Sequence, residues 1–227
     1  MNYFKSRVDA GIQLADRIFG LGNDNIAVIA LSRGAILVGQ EIAKKTHGSL
    51  FIFTTDEVSS GGEMLGSSID SGGAFSYNTA FSLGELEEDE NALRFFTDQR
   101  HMDEYQELNH VAGKDGVIPK EMLNRHIIIL VSDGLNSALS LQIATEFLRP
   151  ISTKRIILAT PVASGEAIDK MHILVDQIFC LSSVENYIST SHYYENNDIP
   201  DDKTVVETLK NIVLNWPSGD TKVAANN

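Results

Sequence analysis

The sequence predicts an α/β fold, a doubly wound parallel sheet flanked by helices, and three observations predict it. Short, mostly apolar runs at residues 26–31 (IAVIAL), 127–131 (IIILV) and 155–160 (RIILAT) have the length and β-branched content of strands buried on both faces. Segments with apolar residues at helical spacing lie between and around them. Two of the runs end in a Ser-x-Gly turn, Ser32-Arg33-Gly34 and Ser132-Asp133-Gly134. Turns of this kind at the carboxyl ends of strands are where open α/β sheets bind ligands.

Taken in order, Phe4, Val8, Ile12, Ala15, Ile18 and Phe19 predict an amphipathic helix over residues 3–19, ended by Gly20 and Gly22. The strand 26–31 follows, then a helix over 35–45 with Ile36, Leu37, Gly39, Ile42 and Ala43 on or near its inner face. Residues 50–53 read as a short strand. From 54 to 78 the chain turns rich in Gly and Ser, with β-like pieces at 64–69 and 74–77 around Ser71-Gly72-Gly73. These predict a hairpin or loop excursion. The acidic run 85–90 leads into a helix reaching about 111, whose charges read as a solvated face. Core strands at 127–131 and 155–160 enclose a helix at 139–148, with Pro150 after it. A last strand covers 177–181, a last helix 204–216, and 217–227 reads as a frayed tail. No linker or repeat divides the chain, so residues 1–216 form one domain carrying an insertion at about 54–112.

The 227 residues suffice for one domain with a sizeable core. A composition 43% hydrophobic and 22% charged is that of a globular chain. The net charge of −13 argues against nucleic acid and polybasic membrane contacts as partners, but leaves room for a small anionic ligand held by local amides and cations. A single cysteine, Cys180, permits no internal disulfide, and the opening residues hold no apolar stretch of membrane length, so a cytoplasmic location is expected.

The six histidines are scattered without ligand spacing, so no metal site is expected from the protein's own side chains. G-x-S-x-G, Walker A and G-x-G-x-x-G are all absent. Cys180, within QIFCLS, reads as an inert core thiol. The chemistry therefore rests on the two turns. Gly34 allows close backbone approach and Arg33 offers charge-assisted bonds to phosphate oxygens. Asp133-Gly134, with Asn136, Ser137 and Ser140, offers a carboxylate, hydroxyls and the amides of a helix start. Together at two strand ends of one sheet, they point to a site for phosphate and hydroxyl groups.

Over residues 4–209 the chain resembles the type I phosphoribosyltransferases, in particular the bacterial members of unassigned substrate. FKSRVDAGIQLADRI is similar to the family's opening R-x-x-A-G-x-x-L-A helix, and LSRGAILVGQEIA to its L-P-R-G-G loop and helix. Glu63, Gly66, Gly72, Gly73, Ala74 and Asn78 follow the hood hairpin. ILATPVASGEAI resembles A-x-P-V-A-P, and DQIFCLSSVENY resembles D-x-V-V-C-L and its sequel. The resemblance implies a type I phosphoribosyltransferase-like sheet with a small hood of β-hairpin and helix. It also implies a phosphoribosyl diphosphate (PRPP) site. Ser132, Asp133, Gly134, Leu135, Asn136, Ser137, Ala138, Leu139 and Ser140 stand at the family's V-D-D-G-x-A-T-G-A-T loop. Asp133 would hold ribose as the catalytic residue, and Ser137 and Ser140 the 5′-phosphate. Ser32, Arg33 and Gly34 would face diphosphate, with Mg²⁺ carried largely by the substrate.

Departures from that pattern bear on activity. Ser132 stands where the family has its first acid, Ala138 where it has glycine, Leu139 where it has alanine, and Thr54-Thr55 where it has an Arg-Lys pair. MDEYQEL, at residues 102–108, replaces an arginine-rich stretch. Losing one well-placed electrostatic donor commonly costs ~2.7–4 kcal/mol of transition-state stabilisation. The expectation is a phosphoribosyltransferase-like protein that binds, or whose ancestors bound, PRPP or a related phosphorylated ribose, with weakened or absent pentosyl transfer. The rival is a catalytically silent phosphate-, nucleotide- or protein-binding module on the same fold. Tyr187, Tyr193 and Tyr194 are offered either as base-stacking or as core aromatics. Relatives with this fold often dimerise, which leaves a homodimer open.

Overall fold

The computed structural model describes residues 3–21, 24–53, 55–60, 63–69, 75–77, 118 and 123–212. Helix α1 (Arg7–Arg17) starts later than the apolar spacing predicts. Phe4 donates its N–H to Tyr193 O and accepts from Glu195 N, both at 2.9 Å, so the residues before Ser6 are extended in a bridge to Tyr194. Ser6 then caps the helix, its Oγ accepting from Asp9 N at 3.2 Å.

Strand β1 (Ile26–Ala30) leads into α2 (Arg33–Thr46) and β2 (Ser49–Ile52). The Gly- and Ser-rich excursion forms an antiparallel three-stranded sheet, β3 (Thr55–Ser60), β4 (Glu63–Ile69) and β5 (Phe75–Tyr77). Its first strand was hidden in the sequence by polar composition. Thr54, the acidic helix expected over 85–111, the MDEYQEL stretch, and everything after residue 212 lie outside the described residues.

β6 (Ile127–Val131) and α3 (Leu139–Leu148) fall where expected. β7 (Arg155–Ser164) runs four residues beyond its predicted end. Pro161 offers no N–H, yet pairing resumes beyond it, Val162, Ala163 and Ser164 against Ser182, Ser183 and Val184. β8 (Gln177–Val184) is lengthened to match. Helix α4 (Gly165–Met171) is an element the sequence did not disclose, being short and opened by glycine. Ser164 caps it, accepting from Ala167 N at 3.1 Å. The last helix, α5 (Asp202–Asn211), is capped by Asp201.

Five parallel strands make the main sheet, in the order β2-β1-β6-β7-β8. Alternation along β1 and β6 sends Val28, Ile127 and Ile129 toward one face, packed with Leu14, Ile36, Ile42 and Val205 of α1, α2 and α5. Ala27, Ile29, Ile128 and Leu130 go to the other, with Leu141, Ile143 and Met171 of α3 and α4. Both strands are buried at every position, which explains their unbroken apolar runs. Each fully buried aliphatic side chain stabilises by about 1.5–3 kcal/mol. A third cluster, built on Phe4, Val162, Tyr193 and Tyr194, joins the N-terminal segment to the end of β7.

The chain leaves β1 in one direction to β2 and then returns to place β6 on the other side. That reversal makes the carboxyl ends of β1 and β6 a topological switch point. Among the described residues no helix is long and apolar enough to cross a membrane.

Candidate functional site

At the end of β1, Ser32 adopts extended backbone and its Oγ accepts from Ala35 N at 2.9 Å, capping α2. The same hydroxyl donates to Asp133 Oδ1 at 2.8 Å. Across the switch point, Asp133 follows β6 and its second oxygen, Oδ2, accepts from Arg7 Nε at 2.7 Å. Arg7, in the first turn of α1, is only 2% exposed, and its guanidinium lies over the Tyr194 ring, 4.6 Å from the centroid. Tyr194 completes the knot by donating its hydroxyl to Asp133 O. A buried ion pair of this kind persists where further hydrogen bonds satisfy its atoms, as here.

Gly34 is required by this packing. A β-carbon there would sit 2.2 Å from Asp133 Oδ2 and 2.7 Å from Arg7 Nε.

The turn after Asp133 is held by its own backbone and by β7. Ser132 Oγ accepts from Gly134 N at 3.2 Å and donates to Gly134 O at 3.0 Å. Leu135 N donates to Val162 O at 3.0 Å, Ser164 N to Leu135 O at 2.9 Å, and Ser164 Oγ to Asn136 O at 2.8 Å. Beyond this point the polar groups are unengaged: no hydrogen bond among the described residues involves the side chains of Asn136, Ser137 or Ser140. Ala138, at the N-cap of helix α3, supplies no side-chain cap, so the helix's first amides have no such partner.

These residues line a pocket of about 370 Å³. Leu31, Ser32, the turn from Ser132 to Ser137 and Ser140 line it, and Tyr187, Ile188, Ser189 and Thr190, from the segment after β8, form a further wall. Tyr187 Oη and Thr190 Oγ1 are hydrogen-bonded at 2.8 Å. Gly134 lets that wall come close, since a β-carbon there would lie 2.4 Å from Tyr187 Oη.

No family model matches the chain. It is 23% identical over 231 residues to "Putative phosphoribosyl transferase MT0597" of Mycobacterium tuberculosis strain CDC 1551 and to "Putative phosphoribosyl transferase Rv0571c" of strain H37Rv. Those alignments cover 92% of this chain and 47% of each relative, so the chain spans about half the length of the curated relatives it matches. Among solved structures, TT1426 from Thermus thermophilus superposes with a TM-score of 0.68 at 23% identity, covering 92% of this chain and 98% of that one. The chain is thus similar in sequence to proteins named putative phosphoribosyl transferases, and it shares the fold of TT1426.

Within this pocket the expected residues divide. Ser32, Ser132, Asp133, Gly134, Leu135, Asn136, Ser137 and Ser140 line it, whereas Arg33 and Gly34 do not. Ala138 and Leu139 are buried, 3% and 6% exposed, and stand behind the lining. Ala138 has φ −84°, so the alanine at the family's glycine position carries no left-handed strain. Thr55, the described member of the Thr54-Thr55 pair, opens β3.

Two contributions escaped the sequence reading. The cation beside Asp133 is Arg7, 126 residues away in sequence, rather than Arg33. Its signals were a place directly after the capping serine and at the head of the R-x-x-A-G-x-x-L-A pattern, and neither pointed to Asp133. The wall of residues 187–190 had no signal beyond Tyr187. Burial pushes the Tyr187 phenol up to about 12, reinforced by the Asp133 charge and opposed by the Thr190 hydrogen bond. Burial and then Asp133 also raise Tyr194, while Tyr193 is fully enclosed. Burial raises Cys180, whose thiol donates to Ser182 O at 3.2 Å.

The Mg²⁺ that the resemblance implies finds no protein-held site among these residues. The one carboxylate lining the pocket has both oxygens engaged. Among the described residues no group of three or more His, Cys, Asp or Glu could hold a metal.

Proposed function

We propose that this protein binds a phosphorylated ribose, PRPP or a related nucleotide, with pentosyl transfer weakened or absent. The observation that carries this reading is the pocket at the β1/β6 switch point, lined by unengaged hydroxyls and the uncapped start of α3. Ser137, Ser140 and the first amides of α3 would take the 5′-phosphate, with Gly134, Leu135 and Asn136 supplying backbone around it. Asp133 would accept from a ribose hydroxyl, since a carboxylate has about four acceptor sites and two are in use. A diphosphate would meet Ser32 through its backbone, since its hydroxyl already caps α2 and donates to Asp133, with Arg33 and Gly34 completing the loop. Any Mg²⁺ would arrive on the diphosphate itself. A small phosphorylated partner, rather than nucleic acid or membrane, agrees with the net charge of −13.

Weak or absent transfer is supported by Ser132, whose hydroxyl is closed within its own turn. It is supported too by the pairing of Asp133 with Arg7, which neutralises charge that would otherwise stabilise a ribosyl cation-like transition state. The same two observations favour the second reading, a silent binding module.

Calorimetric titration with PRPP and with ribose 5-phosphate tests the proposal. Wild type should bind, and Ser137→Ala combined with Ser140→Ala should weaken binding at least tenfold without lowering the melting temperature. No binding by wild type, or equal binding by the double variant, overturns it. Diphosphate release from PRPP across nucleobase acceptors separates the two readings: turnover abolished by Asp133→Asn excludes the silent one.

A further inference from the structure

Both oxygens of Asp133 are held before any ligand arrives. We infer that Arg7 is a positioning residue that serves as the pocket's internal counter-ion, so that a phosphorylated ribose is bound there without a divalent metal. The inference rests on the proposed reading of the pocket and adds to it the class of ligand, a metal-free phosphomonoester.

Three features carry it. Arg7 Nε stands 2.7 Å from Asp133 Oδ2 and occupies the place a cation would take. Ser32 Oγ donates to Oδ1 at 2.8 Å, so the hydroxyl presents a proton, not a lone pair, toward that oxygen. Space beside Oδ2 is closed as well, because even a β-carbon on Gly34 would fall 2.2 Å from it. Mg²⁺ needs near-octahedral ligands at about 2.0–2.1 Å and keeps several waters, and this side of the carboxylate has no room for that shell. Arg7 cannot readily swing aside: it is 2% exposed and stacked on Tyr194. What remains for the ligand is the open side of Asp133 and the hydroxyls of Ser137 and Ser140.

A merely structural ion pair would hold the fold together without altering how binding responds to metal. The experiment is titration of the full chain with ribose 5-phosphate in EDTA and again in millimolar Mg²⁺. Wild type should give the same Kd within twofold in both buffers. Arg7→Lys, which keeps the charge, should remain insensitive to Mg²⁺. Arg7→Gln should bind at least tenfold more weakly in EDTA and regain at least tenfold when Mg²⁺ is added, because the freed carboxylate then has a cation to share. Wild-type binding that requires Mg²⁺, or a folded Arg7→Gln as indifferent to Mg²⁺ as wild type, overturns the counter-ion role while leaving the pocket's ligand intact. Absence of binding in both buffers overturns the pocket reading, and the counter-ion role with it. Because a lone buried carboxylate can unfold Arg7→Gln, Arg7→Gln combined with Asp133→Asn, which leaves no buried charge, stands in if it does: it should bind ribose 5-phosphate at least tenfold more weakly than wild type in both buffers, and wild-type affinity in it overturns the counter-ion role.

Discussion

The two strand-end turns look alike in sequence and do opposite things. At the end of β1, Ser32 is fully committed: its hydroxyl caps α2 and anchors Asp133. At the end of β6, the side chains of Asn136, Ser137 and Ser140 make no hydrogen bond among the described residues, and α3 begins without a cap. Helices α1, α2, α4 and α5 each have a side-chain cap, from Ser6, Ser32, Ser164 and Asp201. A side-chain cap is worth about 1 kcal/mol, and α3 forgoes it where amides and hydroxyls face a pocket. The contrast teaches that one turn is architecture and the other is surface offered to a ligand, with Asp133 belonging to both.

The sharpest way to break that contrast is at their junction. Asp133→Ala leaves Arg7 buried and unpaired, and should cost about 3–5 kcal/mol in urea unfolding. Next comes Gly34→Ala, whose methyl would displace the Arg7–Asp133 pair; about 1–3 kcal/mol is expected from such overpacking. Ser32→Ala removes a cap and a bond to a carboxylate, and should lose about 1–2 kcal/mol on the same assay. By contrast, Ser137→Ala with Ser140→Ala should change stability by less than about 0.5 kcal/mol, while ligand affinity falls. Equal stability losses at the two turns would erase the distinction.

The smallest effect concerns pH. An unfolded tyrosine ionises near pH ~10, whereas native Tyr187 is held up to about 12. The unfolded chain therefore releases its proton first, and stability present below pH ~10 is lost as pH rises toward that of Tyr187. Tyr194 acts in the same direction. Alkaline unfolding followed by phenolate absorbance should show this slope, and Tyr187→Phe should flatten part of it.

Much of the fold was legible because buried parallel strands announce themselves. β1 and β6 are enclosed on both faces, so their runs are apolar at every position. Elements stabilised by partners were less legible. Residues 3–5 have helical spacing, yet pairing with Tyr194 holds them extended. The end of β7 passes through Pro161 because β8 and Leu135 flank it.

By itself the sequence determined the doubly wound sheet, the two turns, and the hydroxyls of Ser137 and Ser140, because periodicity, turn chemistry and side-chain type are local properties. Only the tertiary structure decided that Asp133 meets Arg7, that Ser32 faces inward, and that residues 187–190 form a further wall. Those contacts join positions up to 126 residues apart. Burial then sets their strength: an arginine and an aspartate that would be unremarkable in water become, at 2% and 7% exposure, a fixed pair at the centre of the site.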